Sequence, residues 1–320
     1  MEITPEQLGG LRLRAQCLTP WRSRHELVEV VRTVCGVNAQ FTPAMLLSLR
    51  ARIKGLTLDE VQAAIADSRT LVRTWAVRGT LHLLAAEDAR WLVALLGPRL
   101  AAQDARRRLQ LGLDEEKCVQ ALQEMQTILA HGEPLTRWEL VDRLNEQGVT
   151  IERQGQAAIH LISLAAFKSL LCLGPERANG DKTYALTRRW VGHKPSPQPT
   201  ALDTLARRYL AGYGPATLQD FAGWSGLPVA AARTAWESLR AGSEWAEVQV
   251  DGQALRAPTA ALNALELFEP HVRLLPAFDT YLLGYADRRH VVPPRYQREV
   301  YHGGQTVPVV LVNGAAAGVW

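Results

Sequence analysis

Lysine is scarce in this 320-residue chain, occurring only at Lys54, Lys117, Lys168, Lys182 and Lys194, so arginine supplies nearly all of the cationic charge. Cysteine is scarcer still: Cys17, Cys35, Cys118 and Cys172 lie far apart and form no CxxC. That spacing argues against a metal cluster or a disulfide framework and leaves reduced, buried thiols as the expectation. The histidines form neither HExxH nor HxH, which removes the usual zinc spacings. No metal and no cofactor is expected. No apolar run approaches the roughly 18 residues a membrane-spanning helix needs, and Met1-Glu2-Ile3-Thr4-Pro5 has neither the basic nor the apolar region of a signal peptide. The expectation is a cytoplasmic protein with no membrane partner. A heptad repeat is missing too, so a monomer is expected.

What is present is the composition of an ordinary globular protein, 47% hydrophobic and 21% charged, with a formal net charge of +4. This length outgrows one small core and suggests two or three domains. Arginine forks match phosphates and base edges, so the charge fits a nucleic-acid partner. A GC-rich genome produces the same bias, so the charge does not demand one.

Along the chain, Thr4-Pro5-Glu6-Gln7 and Ser23-Arg24-His25-Glu26 read as helix starts with capping boxes. Pro43 opens a third helix that Gly55 stops, and Thr57-Leu58-Asp59-Glu60 caps a fourth. The β-forming run Leu71–Leu84, broken by Gly79, reads as strand, bend, strand. The pattern returns after a helical, arginine-rich connection. Thr136 caps a helix ending at Gly148, a helix follows over Gln156–Phe167, and Leu170–Leu173 with Tyr184–Leu186 make a hairpin around Asn179-Gly180-Asp181. A proline-bearing linker, His193–Pro199, marks the clearest boundary. Beyond it Thr217 caps a short helix, Pro228 starts a longer one to about Arg240, and Ala246–Val250 and Gln253–Ala257 flank Asp251-Gly252, a favoured two-residue hairpin turn.

Three sets of helix-turn-helix plus hairpin predict a mainly α fold with small β-hairpins (α+β): three tandem winged-helix modules and a C-terminal β-rich segment. The boundaries are 1–90, 91–192, 200–262 and 263–320. In the last segment Arg273–Asp279 reads as a buried strand ending in a carboxylate, and Val307–Val312 with Ala315–Trp320 as a hairpin around Asn313-Gly314. The chain stops within that second strand, which gives the expectation that it is short at its C-terminus. A helix-turn-helix can place one helix in the major groove of DNA, and winged helices also serve as mute protein–protein modules.

The stretch of most chemical interest is Val37-Asn38-Ala39-Gln40-Phe41-Thr42-Pro43, between two helical segments. Pro43 biases Thr42 away from the helical region, and in an extended segment Asn38 and Gln40 project to the same side. The bland alternative is a polar turn whose amides satisfy backbone groups.

Val34–Gln40, together with Val72-Arg73-Thr74-Trp75-Ala76-Val77-Arg78-Gly79-Thr80-Leu81-His82-Leu83, resembles the signature of the AlkZ/YcaQ-type winged-helix DNA glycosylases. Leu274–Asp279 to Gly284-Tyr285, Val312-Asn313-Gly314 to Gly318-Val319-Trp320, and Gln156–Gly174 are similar to that family as well, so the likeness runs along essentially the whole chain. It implies a double-stranded DNA partner and hydrolysis of the N-glycosidic bond of N7- or N3-alkylated purines, with bulky adducts and interstrand crosslinks among the associated lesions. The family's Gln–apolar–Gln motif falls on Asn38-Ala39-Gln40: the second glutamine matches, and the first is one methylene shorter. On this footing Gln40 and Asn38 are the candidate catalytic residues, Gln40 placing a water and Asn38 supporting it or touching the lesion. An amide is too weak a base to deprotonate water fully but can orient it, which suffices when the leaving base is already cationic.

Other residues carry two readings each. Arg73, Arg78, Arg288 and Arg289 are candidate phosphate ligands or ordinary solvated or ion-paired arginines. His82 is a DNA contact or a packed histidine bonded to backbone. Asp279 stabilises a cationic transition state or caps the Tyr281 segment. Arg106-Arg107-Arg108 reads as a solvated helix face countered by Asp114, Glu115 and Glu116, and Trp75 and Trp224 as core. The rival functions are a non-catalytic DNA-binding protein (a regulator or a lesion sensor) and a scaffold of silent winged helices.

Overall fold

The computed structural model describes residues 1–192, 201–239, 244–263, 265 and 271–320. The linker His193–Pro199 and the helix end anticipated at Arg240 lie outside the described residues. The chain divides into two compact units, Met1–Leu58 with Pro199–Trp320, and Asp59–Gln198. The segment expected over 1–90 is therefore divided, its first helices falling in one unit and its hairpin in the other.

The first unit begins with α1 (Pro5–Ala15), started by the Thr4/Gln7 capping box. The Ser23/Glu26 box opens a single 3-10 turn that leads into α2 (Leu27–Thr33). A two-residue strand, β1 (Val37–Asn38), and α3 (Thr42–Arg50) follow. Thr42 is already helical, with Phe41 as the extended N-cap and Pro43 inside the first turn. The extended residue is thus Phe41, one earlier than expected: Pro43 disfavours the helical region at Thr42 without forbidding it, and the N-cap takes the extended backbone instead.

The second unit contains α4 (Leu58–Ala66), β2 (Leu71–Trp75), β3 (Leu81–Ala85), α5 (Ala86–Gln103), α6 (Ala105–Gln110), α7 (Glu115–Ile128), β4 (Leu135–Thr136), α8 (Arg137–Glu146), α9 (Ala157–Phe167), β5 (Leu171–Leu173), β6 (Thr183–Leu186) and α10 (Thr187–Trp190). Its two hairpins are not separate wings. β2 pairs with β5 at Arg73 and Leu173, which merges them into one antiparallel sheet in the order β3-β2-β5-β6-β4. The core beneath that sheet takes Leu140, Val141 and Leu144 from α8 and Leu161, Ile162 and Ala165 from α9. Trp75 belongs to it and stacks on Tyr184 with ring centroids 6.5 Å apart. Of the triple arginine, Arg106 and Arg107 are exposed, as a solvated face would be; Arg108 departs from that reading, since it is buried, pairs with Asp104 and donates to the Ala101 carbonyl, while Asp114 caps α7.

The first unit resumes with α11 (Ala201–Tyr213), α12 (Leu218–Ser225), α13 (Val229–Ser238) and the hairpin β7 (Trp245–Val250) and β8 (Gln253–Pro258). Asp251 and Gly252 both have positive φ, as a tight hairpin turn requires. The N-terminus extends this hairpin, since the Ile3 N–H donates to the Gln249 carbonyl and the Gln249 N–H to the Met1 carbonyl. After α14 (Thr259–Leu262) come β9 (Val272–Leu275), α15 (Thr280–Leu283), α16 (Pro294–Val300), β10 (Tyr301–His302), β11 (Gln305–Thr306), β12 (Val309–Val312) and β13 (Ala315–Val319). β9 is an edge of the sheet β13-β12-β9, and Val272 and Leu274 are exposed. The buried strand anticipated there is half-buried, because an edge strand turns alternate residues outward. Trp224 is core, packed between Tyr209 and Tyr213.

Asp220 joins this helical part to the C-terminal segment. One carboxylate oxygen accepts from the Thr217 backbone N–H, and the other from those of Ala286 and Asp287, 2.8 and 3.2 Å away. The side chain is 1% exposed. Asp220→Ala is therefore expected to strand buried backbone donors and to cost about 2–4 kcal/mol in urea unfolding, several times the effect of losing an exposed cap.

Candidate active site

Backbone geometry at the end of α2 makes the corner. Cys35 (φ 53°) and Gly36 (φ 97°) lie in the left-handed region and swing the chain into β1. Val37 and Ala39 are fully buried and anchor the strand, and Asn38 is 6% exposed while Gln40 is exposed. The two amides touch: Asn38 Nδ2 donates to Gln40 Oε1 at 3.3 Å, and Asn38 Oδ1 accepts the Gln40 backbone N–H at 3.2 Å. The second contact is an Asx turn, in which the side chain mimics a backbone turn two residues on. Asn38 thus fixes both the backbone and the amide of Gln40.

Two elements of the same unit hold the corner from behind. Tyr213 on α11 donates its hydroxyl to the Val34 carbonyl at 3.0 Å. Gly212 lies against the Thr33 carbonyl so closely that a Cβ would collide with it. Gly284 is similarly required, since a side chain there would meet the Tyr213 ring. The hydroxyls of Tyr209 and Tyr285 complete the clamp, bonding to the carbonyls of Gly284 and Tyr213 at 2.9 Å each.

The far end of α3 is fixed by a buried ion pair. Arg52 donates from Nη1 and Nη2 to the two oxygens of Asp279, at 2.8 and 2.9 Å. Its remaining donors reach the Gln16 and Ser48 carbonyls, the Ser48 and Thr280 hydroxyls and Gln16 Oε1. Both side chains are 0% exposed. Burial opposes the guanidinium charge, but the Asp279 carboxylate outweighs it and holds Arg52 above its ordinary pKa. Asp279 also accepts from the Ser48 hydroxyl at 2.6 Å and caps α15 through the Tyr281 N–H at 2.9 Å. Gln16 Nε2 in turn donates to the Gly212 carbonyl at 2.5 Å. The network therefore ties α1, α3, α11 and α15 together around the corner.

These contacts sort the candidate residues. Asn38 and Gln40 are brought together. Asp279 is a structural carboxylate rather than a DNA contact, because every neighbour it satisfies is internal and none of its side chain is exposed. Arg73 is also withdrawn from DNA binding: it is 3% exposed and pairs with Glu176 at 2.8 Å. His82 is 5% exposed, with Nδ1 3.0 Å from the Thr80 carbonyl. Burial, reinforced by the charge of Arg78 and opposed by the Thr80 carbonyl, lowers its pKa to about 4, so it is a neutral packed histidine rather than a phosphate ligand. Arg289 pairs with Asp287, and Arg288 lies 4.0 Å over the Tyr301 ring. Arg78 is exposed at the β2–β3 bend, with φ 53°. Among the described residues no group of three or more His, Cys, Asp or Glu could hold a metal ion, and all four cysteines are free and buried.

Sequence reasoning missed Gln16, Ser48, Arg52 and Tyr213. One signal was available: Met45, Ser48 and Leu49 form the buried stripe of α3 and Arg52, just past its end, continues their spacing, and an arginine in line with such a stripe calls for a buried carboxylate partner.

Comparison with known proteins gives consistent matches. The family model described as DNA glycosylase AlkZ-like matches residues 31–320. An interstrand DNA cross-link repair glycosylase from Streptomyces sahachiroi is 32% identical over 338 residues, spanning 100% of this chain and 88% of that relative. The solved structure of the Streptomyces sahachiroi DNA glycosylase AlkZ matches with a TM-score of 0.83 at 28% identity, again over 100% of this chain and 88% of that one.

Removing one member of the buried pair leaves the other uncompensated. Asp279→Asn and Arg52→Met are each expected to destabilise by about 3–5 kcal/mol in urea unfolding, and the double variant by less than their sum. His82 has a depressed folded pKa, so its contribution is fully present above its unfolded value of about 6.5 and is lost as pH falls from there toward 4. The loss by pH 4 is on the order of 3 kcal/mol, and the pH profile of stability over that window should flatten in His82→Gln.

Proposed function

The chain belongs to the AlkZ-like DNA glycosylase family, and from that premise we propose that it hydrolyses the N-glycosidic bond of N7- or N3-alkylated purines in double-stranded DNA. Bulky adducts and interstrand crosslinks fall within the same chemistry, as the name of the Streptomyces sahachiroi relative indicates for that protein. The observation that carries the reading is the makeup of the corner. Val34–Pro43 holds two amides in mutual contact and, apart from the buried Cys35, no titratable side chain.

Such a site has no strong general acid or base of its own, so the leaving group must depart without protonation. An N7- or N3-alkylated purine does so, because it already carries the positive charge that glycosidic cleavage discharges. Gln40 places the attacking water beside C1′ through its carbonyl oxygen and amide hydrogens. Asn38 is the positioning residue, its Asx turn and Nδ2 donor setting the rotation of the Gln40 amide. The motif has no lysine to form a Schiff base with the resulting sugar, which supports a monofunctional hydrolase. The three sets of helices and hairpins, two of whose hairpins share one sheet, are read as winged helices that build a scaffold for DNA.

A sequence-reading regulator is disfavoured by the helices that would enter the major groove. α9 is almost wholly buried, the first turn of α4 is acidic, and α13 exposes Val229, Arg233, Thr234 and Glu237. Arg233, Thr234 and Glu237 can each pair with a base edge, but the acidic turn of α4 repels phosphates and the burial of α9 withholds it from a groove.

Gln40→Ala is expected to abolish release of N7-methylguanine from a duplex oligonucleotide while leaving duplex binding within about threefold. Asn38→Ala should lower kcat tenfold or more with little change in KM, the pattern of lost transition-state positioning. Undiminished base release by Gln40→Ala removes the assignment.

A further inference from the structure

Immediately after Gln40 stands Phe41, whose side chain, at 57%, is the most exposed aromatic among the described residues. The contrast with its kind is sharp: Phe221 is 0% exposed and Phe167 is 7%. An isolated exposed apolar side chain is common on protein surfaces, so exposure alone says little. Position says more. Consecutive Cα atoms are about 3.8 Å apart, so any duplex close enough for Gln40 to hold a water at C1′ is also within reach of the Phe41 ring.

The mount is rigid. Phe41 is the extended N-cap of α3 (φ −121°, ψ 111°), and its carbonyl accepts the Met45 N–H at 3.1 Å. On its other side the Gln40 N–H is held by Asn38, and Ala39 is fully buried. The chain bends at Gln40 and Phe41 and both residues are exposed there, so the ring stands beside the amide at one corner. It therefore addresses the base step next to the reacting nucleotide. A phenyl ring has nothing to offer a phosphate, whereas base faces take apolar side chains as wedges and stacking partners.

We infer that Phe41 is a DNA wedge, which packs its ring into the base step flanking the lesion and so fixes the reacting nucleotide against Gln40. This rests on the glycosylase reading and names how its site grips the substrate. Phe41 is a positioning residue, and no bond is made or broken on it.

The test uses the full chain and a duplex carrying N7-methylguanine with 2-aminopurine as its neighbour. The fluorescence of 2-aminopurine rises when its stacking is disturbed. Wild type and Gln40→Ala should both raise it on binding. Phe41→Ala should not, and should release the base roughly tenfold more slowly or worse, the scale of a lost base stack. Phe41→Trp should restore both readouts, and an unchanged melting temperature for Phe41→Ala shows that the fold is intact. A fluorescence rise with Phe41→Ala equal to wild type, or no rise with wild type, overturns the inference. If Gln40→Ala still releases the base at the wild-type rate while Phe41→Ala loses the fluorescence rise, the catalytic assignment fails and the wedge stands.

Discussion

The Arg52–Asp279 ion pair is the constraint on which the candidate site depends. A lone buried charge is prohibitively costly, and even a paired one adds little net stability unless its remaining donors and acceptors are satisfied. Here they are: the guanidinium is bonded to Gln16, Ser48, Asp279 and Thr280, and the carboxylate to Arg52, Ser48 and the Tyr281 backbone. The value of the arrangement lies in specificity. Its partners are 227 residues apart in sequence, and only one docking of α3 against α1 and α15 satisfies all of them. Gln40 lies just before α3, so whatever fixes that helix fixes the base of the amide pair. The tyrosine clamp from α11 fixes the other side.

On the proposed mechanism this rigidity compensates for weak chemistry. Amides cannot supply a strong base, and the benefit available to them is geometric: a water held in place need not be recruited in the transition state. The substitution of asparagine where the resembled family has glutamine becomes intelligible in these terms. The shorter side chain closes an Asx turn on the Gln40 N–H, which a glutamine would close less readily because its extra methylene must be folded back. Asn38 gives up reach and gains control of the residue that follows it.

Much of the architecture was legible because local signals were strong. The capping boxes at Thr4, Ser23, Thr136 and Thr217 each start a helix or helical turn, and Asp251-Gly252 and Asn313-Gly314 each make a positive-φ hairpin turn. What the sequence hid was long-range. Nothing near Leu71–Trp75 announces that β2 pairs with β5, and alternation in β9 was masked by apolar residues on both faces. The site divided in the same way. The adjacency of Asn38 and Gln40 follows from spacing and strand geometry. By contrast, the inward roles of Arg73, His82 and Asp279 depend on Glu176, on burial and on Arg52, none of which is a neighbour in sequence.

On the proposed mechanism two oriented amides suffice because the departing base is already cationic. Single-turnover release of N7-methylguanine and of hypoxanthine, a neutral purine, from the same duplex position tests it most directly. The cationic base should be released and essentially none of the neutral one. Comparable release of both, or release of hypoxanthine alone, would contradict it.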